Sequence, residues 1–188
     1  MPTKTGKNHI FCITAITLLC AALIIVTAYG VFERNRKKEA FINQVYHSLL
    51  FSSRHLDNAL ANPEKADVYL SLTAFELTRA DRDMRTYTHY VNTALYYHPI
   101  HSFDTIAQTL SHAPSTRGGV FVDGSVSENG WAYVTALNDE LKNLVDGLGT
   151  SNDELERENP RLTVKQLNDI FSAWFHNWFD LTKHIPLI

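Results

Sequence analysis

The sequence predicts an all-α chain: a single N-terminal transmembrane helix, then an antiparallel helical bundle of about four long helices plus short ones. Three observations predict it. Ile10 to Phe32 is an unbroken apolar run without a charged residue. Beyond it, apolar side chains recur three and four residues apart, the spacing of a helix face. Strand signals are scarce: Val120-Phe121-Val122 is the stretch that suggests an extended loop or short strand.

The chain divides into a short basic tail (1–9), a transmembrane signal anchor (10–32) and a soluble helical-bundle domain (33–188). At about 1.5 Å per residue, the apolar run makes a helix of roughly 34 Å, enough for a hydrocarbon core of about 30 Å. Its polar side chains are Thr14, Thr17, Thr27 and the Tyr29 hydroxyl. Threonine hydroxyls bond back to carbonyls one turn earlier and cost little in lipid. Lys4 and Lys7 also resemble the basic start of a cleaved signal peptide, and Ala28-Tyr29-Gly30 is a passable cleavage site. The run exceeds the usual h-region of about 7–15 residues, which favours an uncleaved anchor. Leu18-Leu19 before Cys20 argues against a lipoprotein signal.

On the far side of the anchor stand Arg34, Arg36, Lys37 and Lys38. Counting Lys and Arg alone, this flank favours a cytoplasmic domain, whereas the short basic start is the common arrangement for an exported one. The domain has no cysteine and no Asn-x-Ser/Thr sequon. The expectation is a bacterial plasma-membrane protein, single-pass, with its C-terminal domain extracytoplasmic. Fifteen cations against twenty anions leave that domain at −5, which disfavours nucleic acid. Its basic cluster at Arg34, Arg36, Lys37 and Lys38 suits anionic headgroups of the lipid bilayer.

The helices follow in order. Ile42, Val45, Leu49, Leu56 and Ala59, with Ser52 in one slot, make the first apolar face; no Gly or Pro lies between Phe32 and Leu60, so the membrane helix continues into it. Asn62-Pro63-Glu64 stops this helix and starts the next, with Asn as cap. Leu70, Leu77, Met84 and Val91 form one seven-residue row and Thr73, Ala80, Tyr87 and Ala94 its partner, a coiled-coil-like seam. Glu76, Arg79, Asp81, Arg82, Asp83 and Arg85 form a solvated face with weak ion pairs. A short helix carries Phe103, Ile106, Ala107 and Leu110. Another holds Trp131, Val134, Leu137, Leu141, Leu144 and Leu148 and ends near Gly147 and Gly149. Ser151 and Glu154 suggest a brief helix through Glu158, and Thr163 with Gln166 a capping box for the last. That helix presents Val164, Leu167, Phe171, Trp174, Trp178 and Leu181, widened by Phe175 and Phe179, as core.

Motifs of chemistry are few. The chain has no nucleophile elbow, Walker loop or His-Glu-x-x-His pattern. His98 and His101, with Asp104 three residues later, form a weak metal candidate, since Pro99 separates the two imidazoles. Tyr87, Tyr90, Tyr96 and Tyr97, beside His89 and His98, mark an aromatic, polar helix end suited to a ligand or an interface. Arg79, Arg82 and Arg85 on neighbouring turns could hold an anion, weakened by Asp81 and Asp83. No cofactor is expected.

The basic start, single anchor and helical bundle resemble the sensor half of bacterial membrane receptors in architecture, though the second membrane helix and output module of those receptors are missing here. The resemblance implies a binding role. The expectation is a non-enzymatic, membrane-anchored protein working by contact with another membrane or envelope protein. A homodimer through the first helix is a further possibility, with Ala21, Ala22 and Gly30 allowing close approach. The alternative is a sensor-like domain binding a small ligand near Tyr87–His101.

Overall fold

The computed structural model describes the backbone of residues 4–95, 103–111, 119–150 and 157–182, and the side chains among these from 13 to 180. The described elements are α1 (Lys4–Ala61), a 3₁₀ turn (Pro63–Lys65), α2 (Ala66–Tyr90), α3 (Phe103–Leu110), strands β1 (Phe121–Val122) and β2 (Ser125–Val126), α4 (Glu128–Leu148) and α5 (Val164–Thr182). The fold is the all-α bundle expected, and α1 continues from the apolar run into the first apolar face without a break. The chain forms two compact units, Met1–Lys37 and Lys38–Ile188.

In the first unit every residue from 13 to 32 is exposed. Thr17 Oγ1 donates to the Ile13 carbonyl (2.9 Å) and Thr27 Oγ1 to the Leu23 carbonyl (2.8 Å), so these hydroxyls are satisfied within the helix. This stretch is long and apolar enough to cross a membrane.

In the second unit, Ile42, Val45, Leu49, Ser52, Leu56 and Ala59 are all buried, as the spacing required. Asn62 does not cap α2. Its amide Nδ2 donates back to the Asn58 carbonyl (3.0 Å) and closes α1, while Pro63 forces a 3₁₀ turn before α2 begins. On α2, Leu70, Leu77 and Met84 are buried in one row and Thr73, Ala80 and Tyr87 in the other. Val91 and Ala94 fall beyond the helix. The backbone N–H groups of Val91 and Asn92 both turn onto the Tyr87 carbonyl, and Asn92 Oδ1 accepts from the Ala94 N–H (3.0 Å), a side-chain turn that competes with the helix. Leu95 supplies the next buried side chain. Phe41 stacks on Tyr87 at 4.1 Å, so the 38–61 segment and α2 form an antiparallel hairpin.

The extended segment is a two-residue β-hairpin, Phe121 opposite Val126 and Val122 opposite Ser125. Asp123 (φ 50°) and Gly124 (φ 80°) both adopt the left-handed region that this tight turn demands. The hairpin docks by its backbone: the Val120 N–H donates to the Thr109 carbonyl and the Ser127 N–H to the Val120 carbonyl. Ser127 then caps α4, its Oγ accepting from the Gly130 N–H at 2.9 Å. After α4, Gly149 bridges Glu158 in extended conformation. Arg157 and Glu158 are therefore not helical; the rest of the brief helix expected from Ser151 and Glu154 lies outside the described residues.

Thr163 and Gln166 form the capping box as expected: Thr163 Oγ1 accepts from the Gln166 N–H (3.2 Å) and Gln166 Oε1 from the Thr163 N–H (2.9 Å). Leu167, Phe171, Trp174, Phe175 and Trp178 are buried; Phe179 is exposed. Trp174 meets Phe103 of α3 at 4.9 Å and donates its indole N–H to the Glu140 carbonyl of α4 (3.1 Å). Trp178 meets Tyr133 of α4 edge-on.

Polar ties fix the register of 38–61 against α4. Ser53 Oγ donates to Asn138 Oδ1 (3.0 Å), while Asn138 Nδ2 (2.6 Å) and Lys142 Nζ (2.7 Å) both donate to Asp57 Oδ1. Burial works against the Asp57 charge, but these bonds hold its carboxyl below the ordinary range.

The tightest packing constraint is at Gly130, where a Cβ would lie 2.4 Å from the Val120 carbonyl oxygen and 3.0 Å from Val126 Cγ1. Backbone cannot yield as a flexible side chain does. Gly130→Ala is expected to cost about 1–3 kcal/mol of stability, measured by chemical denaturation. A variant as stable as the parent would contradict this packing.

Candidate functional site

The outward face of α2 carries the most distinctive surface of the described domain. Val68, Leu72, Phe75, Arg79, Arg82 and Thr86 recur at spacings of four and three, so at 100° per residue they fall within an arc of about 80°. All six are exposed, the apolar three at 54%, 40% and 65%. The seven-residue core rows lie on the opposite face; the spacing of Val68, Leu72 and Phe75 is the sequence signal for this one.

Below Phe75 the face turns basic. Arg79 lies 3.9 Å from Glu76, and Arg82 lies 4.0 Å from Asp83; both acids are half-buried on the same helix, while the two guanidinium groups are exposed. Asp81 departs from the expected solvated face. It is buried at 4% exposure; Arg85 Nε donates to its Oδ2 at 2.6 Å, and the backbone N–H of Asp104 donates to its Oδ1 at 3.4 Å. The carboxylate thus receives the first turn of α3, where N–H groups lack intrahelical partners.

Where α3 meets α2, Thr78, Asp81, Arg82, Arg85, Thr86, His89, Tyr90 and Asp104 line an open cleft of about 380 Å³. Tyr90, one of the expected interface residues, stands at its rim with 85% of its surface exposed. Tyr87 faces the core against Phe41, because it belongs to the buried seven-residue row. Tyr96, Tyr97, His98 and His101 lie outside the described residues. Asp104, the third member of the metal candidate, accepts from Gln108 Nε2 at 3.0 Å. Among the described residues no three metal-ligating side chains converge. Of the basic cluster, Arg34, Arg36 and Lys37 are exposed and Lys38 is half-buried; Lys37 lies 3.6 Å from Glu33.

The chain matches no protein-family model, and neither characterised proteins nor solved structures offer a significant likeness. Its function has to be argued from geometry.

The burial of Asp81 and the half-exposure of Arg85 predict unequal effects on stability. Arg85→Met leaves a buried carboxylate short of its cation and is expected to cost about 3 kcal/mol, whereas Asp81→Asn leaves a guanidinium that can turn to water and costs about 1 kcal/mol. Equal losses in denaturant unfolding would contradict the asymmetry.

Proposed function

We propose that this chain is a single-pass, membrane-anchored helical protein that works non-enzymatically, by contact with another membrane or envelope protein. The apolar stretch of α1 acts as an uncleaved signal anchor in a bacterial plasma membrane, with the bundle on the extracytoplasmic side. The basic residues Arg34, Arg36, Lys37 and Lys38 lie at the headgroups, where each cation is worth about 1 kcal/mol against an anionic surface.

One observation carries the contact role: three large apolar side chains, Val68, Leu72 and Phe75, are aligned and exposed on a helix whose opposite face is fully used by the core. Apolar residues scattered singly on a surface need no explanation. A contiguous row edged by charge is the composition of a binding surface.

Treating intact cells with a membrane-impermeant, amine-reactive crosslinker is expected to convert part of the full-length chain into a discrete heavier adduct. A chain that stays at its monomer mass before and after permeabilisation would count against contact. An adduct formed only after permeabilisation would contradict the extracytoplasmic placement.

A further inference from the structure

We propose that the outer face of α2 docks one helix of a different protein, an amphipathic helix whose acidic first turn precedes its apolar stripe. The proposal rests on the contact reading above and names the surface and the partner's chemistry.

The shape of the face selects a helix. Its exposed residues recur at alternating four and three, the row that fits between the side chains of a second helix packed alongside. From Val68 to Thr86 the row is about 27 Å long, room for about eighteen residues of a partner helix.

The charge order selects the partner's sequence. Val68, Leu72 and Phe75 give the first half an apolar surface, and Arg79 and Arg82 give the next turns a cationic one. Both guanidinium groups are well exposed, and their nearest carboxylates, at 3.9 and 4.0 Å, are beyond hydrogen-bond range. A carboxylate from outside can therefore gain a charge-assisted bond from either arginine without breaking one. At the other end, Glu64 and Asp67 are exposed. A partner helix running antiparallel to α2 places an acidic first turn on the arginines and a basic last turn on these acids. That is the distribution a helix dipole itself favours.

A second copy of the chain fits less well. Two α2 helices laid parallel would set Arg79 against Arg79 and Arg82 against Arg82. Laid antiparallel, they reverse their hairpins as well, since Phe41 at the start of the 38–61 segment stacks on Tyr87 at the end of α2, and the two Lys38 residues then lie at opposite ends of the pair.

The test places a photocrosslinking amino acid at Leu72 of the full-length chain in its native membranes, with the exposed Asn143 of α4 as control position. Irradiated adducts are digested and mapped by mass spectrometry. The expected adduct forms at Leu72 and not at Asn143. It joins Leu72 to another protein's peptide that carries Asp or Glu within about two helical turns. Its yield falls about tenfold in Arg79→Glu/Arg82→Glu and in Phe75→Asp. All three positions are exposed, and unchanged thermal melting would show that the variants fold. An adduct with a second copy, equal yields at Leu72 and Asn143, or a yield indifferent to charge reversal would overturn the proposal. No adduct at Leu72, while the general crosslinker still yields one, would overturn this surface and leave the contact reading standing; failure of both would overturn both.

Discussion

The constraint on which this molecule depends is that one continuous helix carries two different apolar patterns. From residue 13 to 32, α1 is almost wholly apolar, and every one of these residues is exposed. From Phe41 to Ala59 the same helix is apolar on one side, and that side is the floor of the bundle core. In water, the ten Val, Ile, Leu and Phe side chains between 13 and 32 would each leave roughly 1.5–3 kcal/mol of burial unrealised. The proposed anchor gives the apolar stretch a non-aqueous surrounding, whereas the second stretch makes its own within the bundle core.

Given that helix, the remaining packing is set by a few polar contacts that admit a single register. Asn138 lies between Ser53 and Asp57 and locks α4 against the 38–61 segment. Asp81, buried on α2, receives the first turn of α3 and fixes where that short helix sits. At about 12 Å, α3 borders the second half of α2 through this contact and the adjoining cleft. The first half of α2 keeps its apolar row exposed. The same arrangement that closes the core thus leaves one face available, and the proposed contact role rests on that face.

Much of this was legible in the sequence. The apolar run, the rows Leu70–Leu77–Met84 and Thr73–Ala80–Tyr87, and the Thr163–Gln166 box rest on spacing and local capping, which a linear sequence displays directly. What escaped depends on contacts made across the chain. Asp81 sits in a run of charges and resembles its solvated neighbours; its burial is decided by a backbone N–H twenty-three residues away. Asn62 has the chemistry of a helix start, but its amide reaches the nearer carbonyl of the helix it ends. Tyr87 and Tyr90 differ by three residues and by environment, because one lies on the core row and the other at the cleft rim. The outward row Val68, Leu72 and Phe75 was readable, yet a helix apolar on two faces is easily credited to its core face alone.

The most direct measurement uses a thiol the chain already carries. Cys20 is exposed among the described residues. In native membranes of a Cys12→Ser variant, opened so that both faces meet the reagent, a charged maleimide is expected to leave Cys20 unmodified until detergent denaturation releases it. Protection that detergent reverses would place the stretch around Cys20 in the bilayer. Rapid labelling before detergent is added would put this stretch in water and contradict the account.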